Sequence, residues 1–243
     1  MKKISYFTKV IFCIAFLTLI NSNQLPVLLR AELPPAPETG TPPGKPTPGG
    51  TRPDAICQNT SLPLTALAAY NGKDFTVSSH PTFWFYIPYQ PQDIKEIQFI
   101  IEDPQQNSLK NIYQTSLQLS QGSGLMKIPV LKQPQYALEV DKLYRWKLIA
   151  YCTGNTTDDP DLVLEGWVKR VPISAELNNQ LNSAEKEDYL IYQDNEIWYD
   201  AINTLAEQYF TNPEDSDLNK AWLNLLEAIN QEKLSQESFG NGV

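Results

Sequence analysis

Histidine and cysteine are scarce in this chain of 243 residues, which has one histidine and three cysteines. A Ser-His-Asp or Cys-His catalytic arrangement would have to use His80, which precedes Pro81 beside a strongly apolar stretch, so a turn residue is expected. Zinc sites depend on several Cys and His ligands, and no glycine-rich phosphate loop is present. The acidic stretch at residues 158–161 lacks the spacing of a calcium loop. We therefore predict no catalytic residues, no metal site and no cofactor.

Basic residues are also few. The chain has 19 Lys and Arg against 28 Asp and Glu, and four of the bases lie in residues 1–31, which hold no acid. Residues 32–243 thus carry 15 bases against 28 acids, a balance of -13. Nucleic-acid binders need basic patches that neutralise phosphates, so this class is disfavoured. Attraction to anionic membrane surfaces is disfavoured for the same reason.

A long hydrophobic run occurs only near the N-terminus. Lys2 and Lys3 precede an apolar stretch at residues 10–20, which is short for a bilayer span and typical of a signal peptide. We predict a signal peptide over residues 1–31, with cleavage after Ala31 or near Ser22; a short membrane anchor is the alternative. The mature protein is then exported, to the periplasm or outside the cell, and has no membrane span.

Export determines how the cysteines are interpreted. Removal of Cys13 with the signal peptide leaves Cys57 and Cys152. Two cysteines in an oxidising compartment predict a disulfide, and two reduced core thiols are the alternative.

Proline is concentrated in one segment. Residues 32–54 hold eight of the 19 prolines and no aromatic residue. Such a segment cannot bury enough apolar surface to order itself, which predicts a disordered linker between the membrane and the domain. A ligand for a proline-reading partner is the other interpretation.

Residues 55–173 have the pattern of short strands. Five aromatic residues fall within residues 83–89, and apolar residues alternate with polar ones over residues 144–152. Turn residues separate about six such segments. The pattern predicts an antiparallel β-sandwich of immunoglobulin-like architecture.

Residues 174–243 differ in both charge and period. They carry 14 acids and three bases, a balance of -11, whereas residues 55–173 carry 11 acids and 10 bases. Their apolar residues follow helical spacing, with Ser174 and Ser183 as predicted N-caps. Asn212 and Pro213 should end one helix, and Ser216 or Asp217 should cap the next. The chain is therefore predicted to be α+β, with an antiparallel helical segment that packs on the sandwich or on a partner.

Aromatic residues on the strands suggest a second function. A stacking platform for sugars is predicted at four residues if they are exposed: Trp84, Tyr86, Trp146 and Trp167. The alternative is that they belong to the core. Both faces of the strand at residues 83–89 are aromatic, so we expect the helical tail to cover one of them. Glu165 is the candidate carboxylate for a hydrolase.

Several blocks resemble a known family. They are His80–Tyr89, Tyr113–Thr115, Leu143–Trp146, Glu165–Val168 and Glu196–Ala201. In this order they are similar to a cyanobacterial family of exported proteins of unknown function, over roughly residues 57–235. The resemblance implies a strand region with a helical tail, and it brings no site residues.

The tail also resembles a tetratricopeptide helix–turn–helix, through residues 199–202, Leu205, Pro213 and residues 221–225. Gln208 and Leu226 depart from that pattern. Together these features favour a non-enzymatic interaction or structural module of the cell envelope, whose acidic helices bind a protein partner. A carbohydrate-binding module is the alternative.

Overall fold

The structure describes most of the chain beyond residue 56. The computed structural model describes residues 57, 60–69, 72, 74–105, 108–119, 122–154, 159–183 and 186–239. The predicted signal peptide (1–31) and linker (32–54) lie outside the described residues. None of the helices described has the length and apolar character needed to cross a membrane.

Strands come first along the described chain and helices last. The strands are β1 Thr65–Ala66, β2 Phe75–Thr76, β3 Thr82–Ile87, β4 Ile94–Gln105, β5 Ser108–Leu117, β6 Gly124–Pro129, β7 Leu143–Cys152 and β8 Leu162–Arg170. The helices are α1 Ala175–Ser183, α2 Asp188–Asp194, α3 Trp198–Thr211 and α4 Ser216–Ala228. Short 3-10 helices cover Pro91–Asp93, Pro134–Tyr136 and Glu232–Gln236. The predicted α+β class is confirmed.

The strands form two sheets that are mostly antiparallel. One has three strands in the order β1-β3-β6, and the other has five in the order β2-β8-β7-β4-β5. Only β2 and β8 pair in the parallel sense among these strands. The immunoglobulin-like arrangement stays a prediction.

Strand β7 shows how the alternating pattern produces the core. Tyr144, Trp146, Leu148, Ala150 and Cys152 are all buried, and the residues between them are half-buried. Successive side chains of a strand point to opposite faces of its sheet, so the apolar set enters the core together. The predicted face of this strand is confirmed.

Aromatic rings join the two sheets. Phe83 of β3 lies 4.9 Å from Phe99 of β4 between ring centroids, and Phe85 lies 5.5 Å from Trp146 of β7. Gly166 of β8 pairs with Trp146, and a Cβ at Gly166 would overlap the indole ring. The absence of a side chain at this position therefore makes room for the largest ring of the core.

The helices lie against the opposite face of β3. Trp84 and Tyr86 are buried in one cluster with Ile202 and Leu205 of α3 and Trp222 of α4. The indole N–H of Trp84 donates a 3.0 Å hydrogen bond to Asn203 of α3. The second aromatic face of β3 is thus covered by the tail.

Helix ends agree only partly with the predicted caps. Ser174 accepts a 3.0 Å hydrogen bond from the Leu177 N–H, as an N-cap should, and α3 ends before Asn212 as predicted. The prediction for Ser183 is wrong, because this residue is the last of α1. Asp215 caps α4 by accepting from two backbone N–H groups, so Ser216 and Asp217 already lie within the helix.

Candidate functional site

The two predicted disulfide cysteines are joined in the structure. Cys57 and Cys152 have Cα atoms 5.3 Å apart and are separated by 95 positions in the sequence. The Asp161 carboxylate accepts a 2.9 Å hydrogen bond from the backbone N–H of Cys152. Cys57, Cys152 and Asp161 also form the one group with metal-ligand spacing among the described residues. Because both sulfurs are in the disulfide, the group is structural in this form.

His80 has both ring nitrogens engaged. Nδ1 lies 2.9 Å from the hydroxyl of Ser79, and Nε2 lies 2.9 Å from the carbonyl oxygen of Gln133. These contacts tie the start of β3 to the loop after β6. The arrangement is that of a turn residue.

The four aromatic residues of the predicted sugar platform do not come together. Trp84, Tyr86 and Trp146 are 5%, 4% and 1% exposed, and Trp167 alone is half-buried. Trp84 and Tyr86 face the helices, whereas Trp146 lies in the core between the sheets. A sugar must stack on an open ring face, so the first three residues offer no platform here. These three residues belong to the core, and the helical tail covers the face of β3 that carries Trp84 and Tyr86, as expected from the aromatic residues on both of its faces.

Glu165 lies on the outer face of β8. Its carboxylate forms an ion pair with Arg145, and Lys147 is its cross-strand neighbour on β7. Glu165 is thus an exposed member of an ion pair on the outer surface of the sheet, and the hydrolase role considered for it stays a prediction.

Asp200 is a site residue that sequence reasoning missed. Its carboxylate accepts a 3.2 Å hydrogen bond from the backbone N–H of Val77, beside β2. Burial raises the pKa of Asp200 from 3.8 to about 6, and the bonds to Thr76 and Val77 oppose that rise. Its oxygens bind the strand edge, so the carboxyl connects α3 to β2.

Carboxylates cluster where α2 and α4 begin. We call Glu187, Asp188, Asp215 and Asp217 the acidic corner; all four are exposed. Three of them lie near Tyr189: its pKa is raised first by burial and then by the negative charges of Glu187, Asp217 and Asp215. The corner therefore concentrates negative charge from two helices at one place.

The acidic corner is also joined to α3. The side-chain amide of Gln208 lies 3.5 Å from the Glu187 carboxylate, and the Gln208 Oε1 atom is buried without a hydrogen-bond partner. The same helical segment exposes two large apolar side chains, Phe210 at 53% and Leu223 at 47%. The helical tail thus exposes both negative charge and apolar area.

Comparison with known proteins identifies a family and no activity. No curated protein matches the chain. The predicted resemblance to a family of unknown function is confirmed, and the cyanobacterial origin and the tetratricopeptide similarity stay predictions. A family model matches residues 47–239, which is more than half of the chain. The chain therefore belongs to the family described as Domain of Unknown Function (DUF928).

Proposed function

We propose that this protein is an exported, non-enzymatic interaction module of the cell envelope whose acidic corner binds a basic protein partner. The observation that carries the proposal is that Glu187, Asp215 and Asp217 are exposed at the starts of two helices and all three help to raise the pKa of Tyr189. Complementary charge speeds the encounter of two proteins and fixes their orientation more than it adds affinity. A lysine- or arginine-rich surface is the chemistry that such a corner selects.

Few cations on the tail neutralise this charge. The tail holds three lysines, and Lys186 forms an ion pair with Asp194. Lys127 of β6 pairs with Glu207 of α3, 2.8 Å away, outside the corner. The carboxylates of the corner therefore keep most of their negative potential for a partner.

Apolar area supports the same proposal. Phe210 and Leu223 are about half exposed on α3 and α4. Exposed large apolar residues beside a polar rim are common in protein interfaces, which bury an apolar centre within a charged periphery. We expect the partner to present basic residues together with aliphatic side chains.

Binding of a defined basic probe tests the proposal. The full chain is titrated into a labelled amphipathic peptide of alternating lysines and leucines, and fluorescence anisotropy is recorded at several salt concentrations. The test variant carries Glu187→Gln, Glu214→Gln and Asp217→Asn, which removes three charges at or beside the corner and leaves the Asp215 cap in place. We expect the affinity to fall about tenfold and its salt dependence to weaken, since exposed charge pairs contribute about 0.2–1 kcal/mol each.

A second triple variant is the matched control. Glu139→Gln, Glu176→Gln and Glu232→Gln remove the same total charge at other exposed positions. The control should keep the affinity of the unchanged chain within about twofold, because these residues make no part of the corner. Equal losses in both variants would show attraction to the overall charge and would refute the proposed site.

Glycan binding is a second candidate, and one residue favours it. Trp167 is half-buried on the outer face of β8. Its cross-strand neighbour is Arg145, and Glu165, two positions earlier in β8, lies on the same face. Aromatic side chains with a few polar groups close by are typical of small-ligand sites. A glycan array on which the Trp167→Ala variant loses a signal that the unchanged chain gives would support this candidate in place of the first.

A further inference from the structure

The chain's own C-terminal segment adds to the edge of the three-stranded sheet. Strand β6 is the last strand of that sheet, and beyond it Phe239 pairs with Leu125 in a parallel bridge. The backbone N–H of Leu125 donates a 2.8 Å hydrogen bond to the carbonyl oxygen of Ser238. Addition of an extended peptide to a sheet edge is a general mode of peptide recognition.

The ring of Phe239 fills a pocket made by other elements. Its centroid lies 5.8 Å from Trp84 of β3, 5.5 Å from Tyr209 and 5.4 Å from Phe210 of α3, and 5.8 Å from Trp222 of α4. Tyr209 and Trp222 stack on each other at 5.6 Å. We call these four residues the aromatic pocket. Three separate elements build its walls, and a short terminal segment supplies its occupant.

A carboxylate of the same segment is also recognised. Burial raises the pKa of Tyr86 to about 12, and a hydrogen bond from its hydroxyl to Glu237 adds to the rise. Glu237 and Phe239 are half-buried, and Ser238 between them is exposed. This period of two is that of an extended strand whose alternate side chains face the protein. The site thus binds a carboxylate side chain, leaves the next position exposed, and binds an aromatic ring at the position after that.

One polar atom of the pocket has no partner. Trp222 is 1% exposed, and its indole N–H makes no hydrogen bond. A buried N–H of this kind is costly unless a ligand acceptor satisfies it. Trp222 therefore keeps an unsatisfied donor while Phe239 lies against its ring.

From these contacts we infer that the β6 edge and the aromatic pocket form a peptide-binding site held by the chain's own C-terminal segment. The partner is an extended peptide with a carboxylate two residues before an aromatic residue. It pairs with the Leu125 N–H in the parallel sense, places its carboxylate at the Tyr86 hydroxyl and inserts its ring in place of Phe239. This site shares Phe210 with the apolar area proposed for the basic partner, but none of the four carboxylates of the acidic corner belongs to it, and it does not depend on the function proposed for that corner.

Weakening the resident segment tests the inference. The Phe239→Ala variant of the full chain is titrated with a labelled nine-residue peptide that has the sequence of residues 231–239. We expect this variant to bind the peptide at least tenfold more tightly than the unchanged chain, because an intramolecular competitor acts at an effective concentration of about 1 mM. Peptides in which the aromatic position is Ala, or the carboxylate position is Gln, serve as matched ligands.

The matched peptides distinguish specific recognition from non-specific binding. The Ala peptide should lose binding, and the Gln peptide should bind several-fold more weakly to a chain that keeps Tyr86. In a Phe239→Ala chain that also carries Tyr86→Phe, the peptides with Glu and with Gln at the carboxylate position should bind with equal affinity. Equal binding of all three peptides, or no binding by a folded Phe239→Ala chain, overturns the inference.

Hydrogen exchange of the unchanged chain gives a measurement that survives a folding failure of the variants. The amide of Leu125 is bonded to the C-terminal segment, whereas the amide of the next residue, Met126, points towards β3. If the segment can leave the edge, the Leu125 amide should exchange at least 100-fold faster than the Met126 amide. The Leu125 amide is then protected only by local closure. Equal protection of the two amides would show that the segment is a fixed part of the fold, and the inference would fail.

Discussion

The indole N–H of Trp146 donates a 2.7 Å hydrogen bond to the hydroxyl of Tyr199. That hydroxyl donates in turn to the carbonyl oxygen of Trp167, 2.8 Å away. Trp146 is 1% exposed and Tyr199 3% exposed, so this polar connection between α3 and strands β7 and β8 runs through apolar surroundings. The helical tail is therefore joined to the sheets by directional bonds as well as by apolar contact.

The Tyr199→Phe change tests that connection. It keeps the ring that packs 5.0 Å from Phe83 and removes only the hydroxyl. We expect the free energy of unfolding to fall by about 1–3 kcal/mol, the usual cost when buried hydrogen bonds are broken. Urea denaturation followed by tryptophan fluorescence measures it. Tyr136→Phe, at a half-buried position, is the control and should change stability by less than about 0.5 kcal/mol.

A glycine in β8 provides the second prediction. The Gly166→Ala change places a methyl group against the indole of Trp146 in a core that has no room for it. We expect a loss of about 1–3 kcal/mol in unfolding free energy, as overpacking usually causes. Gly122→Ala is the control, since its new methyl group would meet only the end of the flexible Gln90 side chain. An unchanged melting temperature for Gly166→Ala would contradict the packing described for Trp146.

Local patterns predicted the elements better than the contacts between them. The alternation in β7 identified its buried face because the period of a strand is set by the backbone itself. Aromatic residues on both faces of β3 likewise indicated that a second layer must cover Trp84 and Tyr86. The two-residue strand β2 has no period to detect, so its parallel pairing with β8 could not be foreseen.

Caps and sites depend on choices that sequence alone leaves open. Asp215, Ser216 and Asp217 are all good N-cap residues, and only the position of α4 selects Asp215. The aromatic pocket draws Trp84, Tyr209 and Trp222 from distant parts of the chain, and Phe239 stands alone in a polar segment. Such a site has no local signature, because its residues meet only after the helices pack on β3.

The pH dependence of stability follows from Asp200. Its pKa is raised from 3.8 to about 6 on folding, chiefly by burial. A group that holds its proton more tightly when folded stabilises the fold most below its unfolded pKa, and that contribution is lost as pH rises through 6. The unfolding free energy of the unchanged chain, measured relative to that of Asp200→Asn, should therefore decrease as the pH rises from 4 to 7.

The shifted pKa of Asp200 also sets the size of the expected pH effect. The rise in pKa corresponds to at most about 3 kcal/mol, since each factor of ten in proton affinity is about 1.36 kcal/mol. Urea denaturation of both chains at several pH values gives the difference directly, and Asp194→Asn, at an exposed position, should show no comparable trend. A difference between the unchanged chain and Asp200→Asn that stays constant from pH 4 to pH 7 would contradict the buried environment of the carboxyl.

Reduction of the disulfide is the last prediction. Cys57 and Cys152 lie 95 positions apart, so their bond restricts most of the strand region in the unfolded chain. The chain-entropy model assigns about 4–5 kcal/mol to a loop of this length, and native disulfides commonly contribute about 2–5 kcal/mol. We expect a reducing agent to lower the melting temperature of the unchanged chain and to leave a Cys57→Ser, Cys152→Ser variant unaffected. Asp161 also binds the Cys152 N–H, so the end of β7 should stay ordered in the reduced chain while Cys57 detaches from it. Hydrogen exchange should then be faster at Cys57 and unchanged at Cys152.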